Sequence, residues 1–219
     1  MELNVLFLLA MAVITQLIDL SCDFKRSFVD GHNSRRLLVA QGLNGQPAAS
    51  EMKMMMWDDE LQAKASKWAV KHRRYHNPDR SVPSGKYTTG ENLYWYFTTR
   101  RVVNFNPDIA LDSWFSEHEN FTFGPLSKSD FDGSKNGNIG HYTQMVWSDS
   151  VYLGCAIART NKHEWYQTMV VCNYGPGGNF LGKPPYKTDG GASGKLICGV
   201  HDCSLLYGNA CNSTRSSVF

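Results

Sequence analysis

The chain has 219 residues, 42% of them apolar and 19% charged, with 6 Trp, 10 Tyr and 11 Phe. That length and composition suit one packed domain with extensions and exclude a disordered or low-complexity chain. The formal net charge is +2 and no basic stripe exceeds the short cluster Lys71, Arg73 and Arg74, so no nucleic-acid partner is expected.

The first element is an unbroken apolar run, Val5 to Ile14, which Leu17, Ile18 and Leu20 extend past Thr15, Gln16 and Asp19. It falls short of the ~20 apolar residues a spanning helix needs, and no other stretch does better, so no transmembrane segment is expected. It reads as a secretory signal peptide over residues 1–22, with Leu20-Ser21-Cys22 as the cleavage region. Six cysteines in an exported chain point to disulfides, because an oxidising compartment lets them persist. Cleavage after Cys22 leaves one of the remaining cysteines over; an earlier cut keeps all six and allows three bridges. Asn120-Phe121-Thr122 and Asn212-Ser213-Thr214 are glycosylation sequons, which makes Asn120 and Asn212 the candidate acceptors.

Phe24 to Val39 then reads as a helix, with Phe28, Val29, His32, Arg36 and Leu37 near helical spacing and Asp23 as cap. After a break at Gly42 to Ser50, Met54 to Met56 lead into the core. Asp58 caps a second helix on which Leu61, Ala65, Trp68, Ala69 and His72 fall at helical intervals up to Asn77-Pro78. One of its faces is apolar and the other basic. Asn106-Pro107 opens a third helix carrying Ile109, Leu111, Trp114, Phe115 and His118. A polar loop follows from Phe121 to Gly137.

Val151 to Ala158 and Trp165 to Tyr174 are rich in β-branched, aromatic and small residues, and read as two strands of a hairpin. Cys155 and Cys172 stand nearly equidistant from its turn, so they face each other and are expected to pair. Beyond Asn179 the chain is rich in glycine and proline and ends in Cys198, Cys203 and Cys211, whose pairing is open. This tail reads as an extension stapled by its cysteines. His32 is expected within the first helix, His72 and His118 near helix surfaces, and His163 and His201 in loops.

Two segments resemble the signature motifs of the CAP superfamily of cysteine-rich secretory proteins, insect antigen 5 and plant pathogenesis-related class 1 proteins: GHYTQMVWSDS, Gly140 to Ser150, and MVVCNYGPGGNF, Met169 to Phe180. His32-Asn33, Gly90-Glu91-Asn92-Leu93 and Trp114-Phe115-Ser116-Glu117 are similar to smaller family motifs. The resemblance is to the venom-allergen-like branch and covers roughly Phe24 to Tyr186. It implies an α+β fold, a three-layer α-β-α sandwich, with a CAP domain over residues 23–186 and a cysteine-containing extension over 187–219. It also implies a cleft lined by two histidines and two glutamates, which fall here on His76, Glu91, Glu117 and His141.

Two imidazoles and two carboxylates suit a divalent cation such as zinc, and equally suit a metal-free hydrogen-bonded network; no cofactor is required by either. A hydrolase would need an open coordination position and a base beside bound water. His118-Glu119 and His163-Glu164 begin like HExxH, but Thr122 and Gln167 replace the second histidine, and no GxSxG elbow is present. A binding protein is therefore expected rather than an enzyme, with no catalytic residue assigned. Family members resemble lipid carriers, which implies a sterol or fatty acid as ligand, and Tyr94, Trp95, Tyr96, Phe97 and Phe105 are the candidate lining. The rival expectations are a cation-dependent hydrolase using the tetrad and a protein-interaction module engaging an extracellular receptor.

Overall fold

The computed structural model describes residues 14–43, 45–100, 105–132, 137–162 and 164–211. Five strands form one sheet: β1 (Ile14–Ile18), β2 (Met56–Trp57), β3 (Gly90–Thr98), β4 (Tyr152–Lys162) and β5 (Trp165–Gly175). Their order is β1-β4-β5-β3, with β2 pairing β4 in parallel and the other pairs antiparallel. The helices are α1 (Cys22–Gln41), α2 (Asp59–Ala69), α3 (Asp108–Phe115) and α4 (Gly140–Met145), with a 3-10 turn Ser116–Asn120 after α3.

Strand alternation divides the core into two layers. Leu153, Cys155 and Ile157 of β4 and Val170, Cys172 and Tyr174 of β5 meet Phe28 and Val29 of α1, Leu111 and Trp114 of α3, and Tyr142 and Met145 of α4. The intervening residues Ala156, Ala158, Met169 and Val171, with Leu93 of β3, meet Ala65, Trp68 and Ala69 of α2. Side chains on a strand alternate between faces, so one hairpin supplies both cores. The expected α-β-α sandwich follows. Small residues on the α2 face let that helix come close: a Cβ on Gly154 would lie 2.5 Å from the Leu61 carbonyl carbon and against the Gln62 backbone. Gly154→Ala is expected to lower stability by about 1–3 kcal/mol, read as an earlier denaturation midpoint; an unmoved midpoint would contradict this close approach.

Several local expectations change. Ser21, not Asp23, caps α1, its hydroxyl accepting from the Phe24 amide at 3.4 Å. The second helix ends at Ala69, well before Asn77-Pro78. Lys71 and His72 donate to the carbonyls of Trp68 and Ala69 in tight turns, and His72 turns left-handed at φ 48°. His72 is therefore in the turn after α2. Leu93 to Phe97, which carries four of the five candidate lining rings, lies within β3. The third helix keeps its start near Asn106, whose side chain accepts from the Asp108 amide.

Cys155 and Cys172 are cross-strand partners and form a disulfide. Cys198 pairs with Cys203, and Cys22 pairs with Cys211. All six cysteines are thus used. The tail is more than a stapled extension, because Leu206, Tyr207 and Cys211 are buried in the main core. Tyr207 donates to Asp30 of α1 at 2.9 Å, and Arg26 donates to the Cys211 carbonyl at 2.9 Å. Met55 and Met56 are buried as core entry. Asn212, Val5 to Val13 and His163 lie outside the described residues.

Candidate functional site

The four expected cleft residues come to one place, as two His–Glu pairs. Glu91 sits near the start of β3, on the same face as Leu93, with its side chain fully buried. Its Oε1 accepts from the Asn77 amide at 2.9 Å and lies 3.0 Å from Nδ1 of His76. Both partners belong to the loop that follows α2. Glu117, in the 3-10 turn after α3, accepts from the backbone amides of His141 at 2.8 Å and Tyr142 at 3.1 Å. Its other oxygen lies 2.6 Å from Nδ1 of His141, the second residue of α4.

β3 is an edge strand, and the pairs approach that edge from opposite layers: His76 and Glu91 from the α2 side, Glu117 and His141 from the α3 and α4 side. His76, Glu91 and His141 share one open pocket of about 210 Å³ with Asn92, Asp130, Phe131, Asn138 and Asn179. In each pair the carboxylate fixes the imidazole through Nδ1, which leaves Nε2 as the ring's second functional nitrogen. That is the orientation in which a carboxylate-held histidine serves as a metal ligand. Glu91 Oε2 is buried with no hydrogen-bond partner, an acceptor kept beside the pocket at a cost unless something cationic or donating comes near. Among the described residues no group of three or more His, Cys, Asp or Glu converges for a metal.

Residues of the smaller motifs and of the second signature motif hold His141 in place. The ring of Trp114 stacks on that imidazole at 6.2 Å between centroids, and the Trp114 indole donates to the Leu93 carbonyl at 3.0 Å. Asn92 donates to the His141 carbonyl and to the Tyr174 hydroxyl, each at 3.0 Å. Tyr174 lies 2.9 Å from Nε2 of His32, whose Nδ1 lies 2.7 Å from the Phe28 carbonyl. A carbonyl only accepts, so Nδ1 carries the His32 proton and Tyr174 donates to Nε2. Burial pushes the His32 pKa down to about 3. The motif Gly175 to Asn179 is tied to α4. Gln144 accepts from the Gly178 amide at 2.9 Å, and Asn179 donates to the Gly140 carbonyl at 2.9 Å.

The five candidate lining residues separate by strand parity. Tyr94 and Tyr96 pack on the main core, with Tyr96 stacked on Phe105 at 6.1 Å. Trp95 belongs to the α2 core, and Phe97, on the same face, lies under the Arg74 guanidinium at 4.9 Å. The five therefore form two walls on opposite faces of β3. A second pocket, of about 260 Å³, adjoins the cleft through Asp130 and Ile139, and exposed Asn120 is on its rim.

A mainly antiparallel sheet between helical layers, with two His–Glu pairs meeting across its edge, defines a class of α-β-α sandwich proteins with a His/Glu cleft. Residues 29–174 match the model of the cysteine-rich secretory protein family, CAP, and the chain belongs to that family, among its venom-allergen-like members. It is 38% identical over 170 residues to venom allergen 5 of Rhynchium brunneum, covering 74% of this chain and 72% of that one. Venom allergen 5 of Vespula pensylvanica is 33% identical over 175 residues, covering 77% and 82%. A crystal structure of NaASP2 with Zn2+ superposes with a TM-score of 0.61 at 31% identity, covering 75% of this chain and 85% of the other. Venom allergen-like protein 4 of Schistosoma mansoni superposes with a TM-score of 0.57 at 26% identity, covering 74% and 93%. Among the described residues no helix is long and apolar enough to cross a membrane.

Proposed function

We propose that this protein is secreted and acts by binding, and that its cleft takes a divalent cation, zinc first, on Nε2 of His76 and His141. The observation that carries this reading is the pairing of each imidazole's Nδ1 with a carboxylate beside one pocket. On this reading the cation takes two imidazole donors, with solvent or a ligand completing the shell and the carboxylates acting from behind. NaASP2, a structural relative, has been crystallised with Zn2+. A bound cation would supply Lewis acidity and a bridge between the two helical layers; the chain's own residues orient the rings and hold their protons on Nδ1.

The secreted reading is supported by three disulfides, which persist in oxidising compartments. On this reading the leader is cut ahead of Cys22, which leaves that cysteine for its bridge to Cys211. Asn120 is exposed and open to glycosylation. For an apolar ligand, a sterol or fatty acid, Tyr94, Tyr96 and Phe105 are the candidate rings that share one side of the sheet. An extracellular protein receptor remains compatible with the same cleft.

Titration calorimetry tests the cation. Zinc is expected to bind one site, at least about tenfold more weakly in His76→Ala, in His141→Ala and in Glu117→Gln. Unchanged affinity in both histidine variants would refute the assignment.

A further inference from the structure

The surface where α2 ends carries a combination that neither the core nor the cleft uses. Lys67, Lys71, Arg73, Arg74 and Arg100 are all exposed, and the segment 67–76 contains no carboxylate. Among them stand apolar side chains open to solvent: Tyr75 is 57% exposed, Trp165 54%, Phe97 43% and Val70 38%.

Several of these groups are joined in one patch. Arg74 covers the Phe97 ring at 4.9 Å, Lys71 lies 4.8 Å from the Trp68 ring, and Tyr75 packs edge-on against Trp68 at 5.7 Å. The Trp68 indole donates to the Tyr75 carbonyl at 3.1 Å, which pins the basic loop to α2. Phe97 pairs with Gln167 in the sheet, and Trp165 lies two residues further along the same strand. Trp165 and Phe97 are thus diagonal neighbours on the face that α2 leaves uncovered beyond Ala69, within reach for aromatic side chains. Glu164, beside Trp165, is the carboxylate nearest in sequence.

Aromatic side chains ringed by cations match a membrane surface, where rings settle at the headgroup level and Lys and Arg meet lipid phosphates and carboxylates. A sulfated polysaccharide would use the cations but leave Trp165, Tyr75 and Phe97 in water. We propose that this patch docks the protein onto anionic phospholipid bilayers, with Trp165 and Phe97 entering the interface and Lys71, Arg73 and Arg74 contacting the headgroups. The site is separate from the cation cleft and does not depend on it.

The test is sedimentation of the purified protein with vesicles of phosphatidylcholine alone or mixed with phosphatidylserine, alongside a heparin column. Binding is expected to the mixed vesicles only, to weaken with salt, and to shift the tryptophan emission to the blue. Arg73→Glu/Arg74→Glu should weaken it at least about tenfold, as each basic group near an anionic surface adds about a factor of five or more. Trp165→Ala should remove most of the blue shift, and Lys183→Glu/Lys187→Glu, on another surface, should change neither readout. Circular dichroism melting of each variant reports whether it is folded. No binding to the mixed vesicles, equal binding to neutral ones, or heparin retention without vesicle binding would overturn the proposal.

Discussion

Replacing Arg36 by methionine is expected to lower stability by on the order of 5 kcal/mol, comparable with the whole net stability of many domains. Arg36 is on α1 and fully buried, with its guanidinium facing carbonyls rather than a contacting carboxylate. It donates to the carbonyls of Lys53 at 2.8 Å, Met145 at 3.0 Å, Trp147 at 2.9 Å, and Ser148 and Ser150 at 3.2 Å each. Those carbonyls belong to the strand approach before β2, the end of α4 and the turn leading into β4. Burial pulls the Arg36 pKa down to about 9, so the side chain keeps its charge at neutral pH, and the carbonyl dipoles offset it. A methionine fills much of the volume and leaves the carbonyls without donors. Arg36→Lys has three donors in place of five and should recover only part of the loss. Urea denaturation of the two variants measures this; a loss below ~1 kcal/mol for Arg36→Met would show that these carbonyls find other partners.

The second large effect is pH-dependent. The His32 pKa is about 3 in the folded protein against an ordinary 6.5, because burial opposes its charge. Above 6.5 the ring is neutral in both states and contributes no pH dependence. Below it the unfolded chain binds a proton that the folded core refuses, down to about 3, so stability falls with pH across that window. The slope approaches ~1.4 kcal/mol per pH unit, or about 2–3 kcal/mol between pH 6.5 and 4.5. His32→Gln cannot titrate, so it should lose stability at pH 7 and lose its disadvantage on acidification. Denaturation of both proteins at pH 7 and 4.5 decides the matter: a stability difference that stays constant with pH would exclude His32 as the titrating group. Because His32 reaches His141 through Tyr174 and Asn92, acidification should loosen the support of the cleft as well.

Much of this molecule was legible in local pattern. Helical spacing of Leu61, Ala65, Trp68 and Ala69 marks α2, alternation marks the β4–β5 hairpin, and equal distance from its turn pairs Cys155 with Cys172. These are signals of short range, set by side-chain period and turn geometry. The cleft residues were legible through motif resemblance alone, since nothing in the spacing of His76, Glu91, Glu117 and His141 brings them together.

Tertiary structure decided the rest, because it depends on contacts between residues far apart in sequence. The helix signal at Asn77-Pro78 was overridden by turns at Lys71 and His72 and by the Trp68 indole holding the Tyr75 carbonyl. The aromatic run at Leu93 became an edge strand because β5 offered it a register, and that register divided its rings between two cores. The choice of Cys211 as the partner of Cys22, 189 residues away, rests on the tail folding back over α1. What the amino-acid sequence determined by itself was the first three helices, the β4–β5 hairpin and, through the motif resemblance, the chemical identity of the site. The arrangement of that site as two carboxylate-held imidazoles came only from packing two helical layers against the two faces of one sheet, which no local period encodes.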